Sequence, residues 1–181
     1  MNNLTVVSGL WRSGSSMMMQ ILEAGGLEPI FHYHKPDQYN ERGYYEIEEK
    51  MAPRVYAEIC EGQHPNSCVK ILTPFLKNND LIYLAKQVIF MQRNYDEIIA
   101  STEKSSGYSP FKRKLQILEK EAKEFLAGQR LAIFYLNYNE IIEDPKVALT
   151  PIKFLLKEFE SACSAVEESL YKSRGKNEAV F

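Results

Sequence analysis

The chain has 181 residues, with 22 Lys and Arg against 24 Asp and Glu, a formal charge of −2 and 45% hydrophobic residues. That length lies within the ~100–200 residues of one domain and lets about 70% of the extended surface be buried, so no disulfide or metal staple is needed. The balanced charge excludes a general nucleic-acid or anionic-membrane binder, and the globular composition excludes a disordered or fibrous chain. Cys60, Cys68 and Cys163 form no CxxC pair and read as reduced thiols. No basic leader opens the sequence and no stretch approaches the ~18 apolar residues of a membrane span, so a soluble, cytoplasmic protein is expected. Neither a repeat nor a low-complexity linker divides residues 1–181, which read as a single domain.

In chain order, Leu4–Ser8 is a short branched run ending at Gly9 and predicts a buried strand. Ser15–Ala24 predicts a helix stopped by Gly25-Gly26, apolar nearly all round and therefore buried on most sides. A short strand is expected at Pro29–His32, a helix at Ile47–Glu61, a strand at Cys68–Leu72 and a weak helix near Asn78–Lys86. Val88–Gln92 is the clearest buried strand, expected at the centre of the sheet. Helices follow at Asp96–Lys104 and Phe111–Leu126, then a strand at Leu131–Leu136 and a mostly helical remainder broken by Pro145 and Pro151. Strands alternating with helices predict an α/β chain, a three-layer α/β/α fold around a central, mostly parallel sheet of the P-loop NTPase-like kind. In such sheets ligands bind beyond the carboxyl ends of the strands.

One such end carries Gly9-Leu-Trp-Arg-Ser-Gly14-Ser15-Ser16. Strand, glycine-containing loop and helix N-terminus together make an anion cradle, because backbone N–H groups converge there and the helix dipole favours negative charge. Arg12 adds a cation, and Ser15 and Ser16 add hydroxyls in the first turn. The spacing fits G-x-x-x-x-G-K-[ST] except that Ser15 stands where the lysine belongs. The strand ends also lack the carboxylate with which Mg-dependent P-loop enzymes hold their metal. An ordinary turn with a serine cap is the plainer alternative. At a second strand end, Arg93 is followed eight positions on by Ser101, about two helical turns. An arginine and a hydroxyl so spaced suit a second phosphate, against the plainer reading of a surface Arg and a helix-interior Ser.

Arg12-Ser-Gly-Ser-Ser16 resembles the 5′-phosphosulfate loop of the P-loop sulfotransferases, [RK]-S-G-T-[ST], with Ser15 for Thr. Arg93 and Ser101 match that family's 3′-phosphate pair. The stretches VVSGLWRSGSSMMMQILEAGG, ERGYYE, VIFMQRNYDEIIAS and SLYKSR are similar to short bacterial members. The resemblance implies a transferase that moves a sulfuryl group from 3′-phosphoadenosine 5′-phosphosulfate (PAPS) to a hydroxyl or amine of a small-molecule or carbohydrate acceptor, without a metal. PAPS would then be the co-substrate, held by Arg12, Ser13, Gly14, Ser15, Ser16, Arg93 and Ser101. Arg12 would also stabilise the leaving phosphate. By the same resemblance Lys70 contacts the transferring group, although a strand lysine between apolar neighbours also suits a sheet edge. Glu46 is the first candidate for the base, with His34 second and His32 behind it. Beside Tyr44 and Tyr45, Glu46 is expected to be poorly solvated; capping the following helix is its alternative role. Trp11 replaces a proline common in the family, and Ser173–Lys176 only faintly echoes its C-terminal nucleotide loop. Phe111–Lys114 reads as a solvated helix start or an acceptor patch. A nucleotide-dependent kinase or hydrolase, or a non-catalytic nucleotide-binding protein, is the alternative.

Overall fold

The computed structural model describes residues 3–32, 36, 40 and 43–166. Five parallel strands form one sheet in the order β2-β3-β1-β4-β5. β1 (Asn3–Gly9) is central, with β3 (Asn66–Lys70) and β4 (Ala85–Gln92) beside it. β2 (Glu28–Pro29) and β5 (Ala132–Asn137) are the edges. The strand before Arg93 is therefore β4, next to the centre rather than at it. Helices cover both faces, as the alternating pattern requires, and the architecture is the three-layer P-loop-like one.

The two-residue period of a strand divides each one between two cores. Leu4 and Val6 of β1, Val69 of β3, and Val88 and Phe90 of β4 face one side. There they meet α2 (Ala52–Cys60) through Val55 and Ile59, and α4 (Lys112–Ala127) through Ala122 and Leu126. Val7, Cys68, Ile89 and Met91 face the other side. They pack on α1 (Ser15–Ala24), α5 (Tyr138–Glu143) and α7 (Phe159–Ser164) through Met18, Leu22, Ile141 and Ala162. Strand parity thus decides which residues face α1, and Lys70 shares the parity of Cys68. The remaining helices are α3 (Tyr95–Ser106) and the short α6 (Pro145–Ala148).

Several expected boundaries move, each for a local reason. The strand expected at Pro29–His32 ends at Pro29, because His32 N–H turns to donate to the Glu46 carbonyl (2.9 Å). The helix expected from Ile47 begins as a 3₁₀ turn at Glu49–Met51 and becomes α only at Ala52, next to Pro53, which tolerates only a first-turn position. Residues 73–84 form two 3₁₀ turns, Thr73–Asn78 and Asp80–Leu84, instead of one helix, and residues 85 and 86 already belong to β4. β3 sits two residues earlier than expected.

β1 ends where the backbone of β4 comes very near. A Cβ at Gly9 would lie 2.7 Å from the Met91 carbonyl oxygen, and its φ of 145° suits glycine alone. Gly9→Ala is expected to destabilise the fold by about 2 kcal/mol or more, from clash and backbone strain together, readable as a lowered midpoint in urea unfolding.

Candidate functional site

The strand register sets the carboxyl ends of β1, β3, β4 and β5 side by side: Val7 pairs with Lys70, Gly9 with Met91 and Gln92 with Asn137. Over these ends lies a cavity of about 190 Å³. Of the candidate residues, Arg12, Gly14, Ser15, Ser16, Glu46, Lys70, Arg93 and Ser101 line it. The two anion-binding features expected at separate places open into one space.

The loop before α1 is built for exposed N–H groups. Ser13 N–H donates to the Leu10 carbonyl (3.1 Å), closing a turn whose third residue is Arg12 at φ 64°. Gly14 follows at φ 97° as the N-cap of α1, with no side chain capping the helix and no acidic residue in its first turn. The first amides of α1 therefore lack intrahelical acceptors and carry the positive end of the helix dipole. Gly14 has a second constraint: a Cβ there would lie 2.4 Å from the Tyr138 ring. Ser13 is placed apart from the lining; it is buried, its hydroxyl lying where a Cβ on Gly9 would come within 2.5 Å.

Arginines 12 and 93 interlock. Arg12 Nε donates to Ser101 Oγ (2.9 Å), and Arg93 Nη1 donates to the Arg12 carbonyl (3.1 Å). The Arg93 side chain is only 6% exposed and lies 4.2 Å from the centroid of the Tyr138 ring. Its Nε donates to Glu97 Oε2 (2.8 Å), and the other oxygen of Glu97 accepts from Asn139 Nδ2 (3.0 Å). Asn94 caps α3 by accepting the Asp96 N–H (2.8 Å), which starts that helix immediately after Arg93 and brings Ser101 back over the loop.

Lys70 is not an edge residue. β3 lies between β2 and β1, and the lysine side chain is 3% exposed. Its ammonium donates to the Tyr44 carbonyl, to Ser16 Oγ (3.4 Å) and to Glu46 Oε1 (3.4 Å). Tyr45, left-handed at φ 54°, is buried and anchored by its hydroxyl donating to Glu23 Oε2 (2.6 Å). Burial pushes the Lys70 ammonium below its ordinary value, Arg12 adds to that lowering, and Glu46 opposes it. Glu46 itself is 45% exposed, so the poor solvation expected of it is not found, and no capping role exists because the next turn starts after Glu48. His34, Ser173–Lys176 and the SLYKSR stretch lie outside the described residues; His32 is exposed. Lys112, in the expected basic patch, pairs with Asp96 (2.9 Å) at a solvated helix start.

Tyr138, Glu97, Asn139 and Gln20 escape the sequence reading, and Tyr44 enters it only as a neighbour of Glu46. Glu97 is signalled by its position four residues after Arg93, in the first turn of the helix that follows it, and Tyr138 by standing just past a strand end. Gln20 lies one turn above Ser16 and also lines the cavity. Among the described residues no cluster of three or more His, Cys, Asp or Glu is arranged to hold a metal, and no helix is long and apolar enough to cross a membrane.

No family model matches the chain, and no curated protein matches it in sequence. Solved structures do match. One is the sulfotransferase domain of the olefin synthase of Synechococcus PCC 7002, at a TM-score of 0.55 and 16% identity, over 90% of this chain and 76% of that one. Others are a sugar kinase from Janibacter sp. HTCC2649 (TM-score 0.47, 15% identity, 86% and 99% covered) and a gluconokinase from Sinorhizobium meliloti 1021 (0.42, 18%, 93% and 95%). The first likeness is one of fold, a P-loop-like α/β/α fold that a sulfotransferase domain also has.

Two measurements check the geometry. Left-handed backbone costs a side-chain-bearing residue about 1–2 kcal/mol, so Arg12→Gly is expected to be more stable than Arg12→Ala by about 1 kcal/mol, reversing the usual glycine penalty. Lys70 should give stability an alkaline dependence. Below its depressed folded value both folded and unfolded chains hold the proton, and the cost of burial is carried in full. Between that value and the ordinary 10.5 the unfolded chain binds more protons, so stability rises with pH. Denaturant unfolding from neutral to about pH 10 should therefore show the wild type gaining on Lys70→Met; parallel curves would contradict the depressed ammonium.

Proposed function

We propose that the protein is a sulfotransferase that uses PAPS as its sulfuryl donor. The observation that carries this reading is the shared cavity: the glycine loop with Arg12, the Arg93–Ser101 end and the buried Lys70 all face one space. A donor with anionic groups on the 3′ and 5′ positions of one ribose matches two cationic anchors so joined. Arg12 and the first-turn amides of α1 would hold the 5′-phosphosulfate, and Arg93 with Ser101 the 3′-phosphate. Ser13 keeps at most an indirect part, through the turn that its N–H closes.

In sulfuryl transfer the acceptor oxygen forms a bond to sulfur while the bond from sulfur to the phosphate oxygen breaks. Charge grows on the departing phosphate, and fixed donors aimed at it lower the barrier. Arg12, the loop amides and Lys70 supply those donors. The acceptor proton must leave, and Glu46, which lines the cavity and is half exposed, is the assigned base. His34 remains the second candidate by sequence. No carboxylate stands at a strand end: β1, β3, β4 and β5 finish in Gly9, Lys70, Gln92 and Asn137. That favours a metal-independent reaction; a small-molecule or carbohydrate acceptor is what the family resemblance implies.

A second reading rests on Ser16 and Glu46, a first-turn hydroxyl and a carboxylate in the same cavity, the two groups with which P-loop kinases hold Mg²⁺. Mg-dependent ATP turnover that survives Arg93→Ala would favour it.

Calorimetry with adenosine 3′,5′-bisphosphate tests the proposal; no detectable binding at millimolar nucleotide by folded protein refutes it. Arg93→Ala is expected to weaken that nucleotide by about 2–4 kcal/mol, as loss of a desolvated charge partner does. Once an acceptor is found by screening, Glu46→Gln and Lys70→Ala should lower turnover by about a hundredfold or more while donor affinity changes little.

A further inference from the structure

Arg93 makes contacts that holding a phosphate does not require. Arg12 occupies left-handed backbone at φ 64°, a conformation that a non-glycine residue keeps only when its surroundings impose it. Arg93 Nη1 bonds the Arg12 carbonyl (3.1 Å), and Ser101 accepts from Arg12 Nε (2.9 Å). Both partners belong to the second anion end, on and just before α3. The guanidinium is in turn held by Glu97, which Asn139 fixes, and lies over the Tyr138 ring that closes against Gly14. A circuit of contacts therefore runs from Glu97 through Arg93 to Arg12 and, by way of Tyr138, to Gly14.

We propose that Arg93 is a positioning residue of the anion loop, holding Arg12 and Gly14 in the anion-binding conformation whether or not a 3′-phosphate is present, and that Glu97 holds Arg93 for this task. Anion binding at the two ends is then coupled, since whatever orders one end orders the other. The identity of the nucleotide rests on the proposed function; the ordering of the loop does not.

Trp11 is the one tryptophan in the sequence and sits in the loop, half-buried against Leu10, Ile98 and Leu115, so its fluorescence reports loop order without any ligand. The full-length chain is compared with Glu97→Gln and with Arg93→Ala combined with Glu97→Gln, which leaves no buried carboxylate unpaired. The double variant is expected to show red-shifted Trp11 emission and faster acrylamide quenching, and Glu97→Gln smaller changes in the same direction. Emission and quenching unchanged in both variants overturn the proposal. Calorimetry with adenosine 5′-phosphosulfate, which has no 3′-phosphate, supplies the second readout. Its affinity should fall about tenfold in the double variant, a coupling of ordinary size; an unchanged affinity assigns Arg93 to the 3′-phosphate alone and overturns the proposal. Should the double variant fail to fold, Glu97→Gln carries both measurements. If the wild type binds neither this nucleotide nor the bisphosphate, the sulfotransferase reading fails while Trp11 still decides the role of Arg93.

Discussion

The Arg93 guanidinium carries a charge into a place that is 6% exposed, and a charge there is tolerable only with partners on several sides. Each partner comes from a different part of the chain. Glu97 is one turn on in α3, the Arg12 carbonyl belongs to the loop after β1, and the Tyr138 ring begins α5 after β5. Glu97 is a local partner, whereas the Arg12 carbonyl and the Tyr138 ring reach Arg93 only when β1, β4 and β5 are aligned in register. The central sheet and the cavity are therefore two aspects of one arrangement: parallel pairing brings three strand ends together, and the charge that emerges there is neutralised by what those ends carry.

Lys70 is also a buried cation, and its situation differs. Its partners are a carbonyl, a hydroxyl and one half-exposed carboxylate, and they do not offset the loss of water, as the downward displacement of its proton affinity shows. Arg93 is neutralised by a largely buried carboxylate at 2.8 Å, whereas the Glu46 carboxylate lies 3.4 Å from Lys70 and reaches solvent. A poorly compensated ammonium at a cavity wall gives up stability. The alternation of β3 is what aims it at the N-terminus of α1 rather than at the opposite core.

The loop between the two cations is strained where it lines the cavity. Arg12 holds backbone angles that glycine adopts with ease, and a glycine there would remove the side chain that reaches Ser101. Gly14 is confined from the other direction, since neither its φ nor the nearby Tyr138 ring leaves room for a Cβ. Side-chain reach at one position and its absence two residues later together set the shape of the anion cradle.

The strand–loop–helix of residues 3–24 was legible from sequence because every signal there is local: a branched run, glycines at both ends of the helix and serines in its first turn. The same holds for Arg93 and Ser101, one just before α3 and the other two turns into it. The α/β/α layering followed from alternation of elements, although the central strand was misjudged, because apolarity marks burial on both faces and not rank within a sheet. Short turns such as residues 73–84, and the start of the helix at Ala52, depended on prolines acting within tertiary packing. Only the folded chain decided that both anion features share one cavity, that Lys70 is interior, that Glu46 reaches solvent and that Tyr138 closes on Gly14. Each of these depends on contacts between residues tens of positions apart, set by strand register, which no local pattern records.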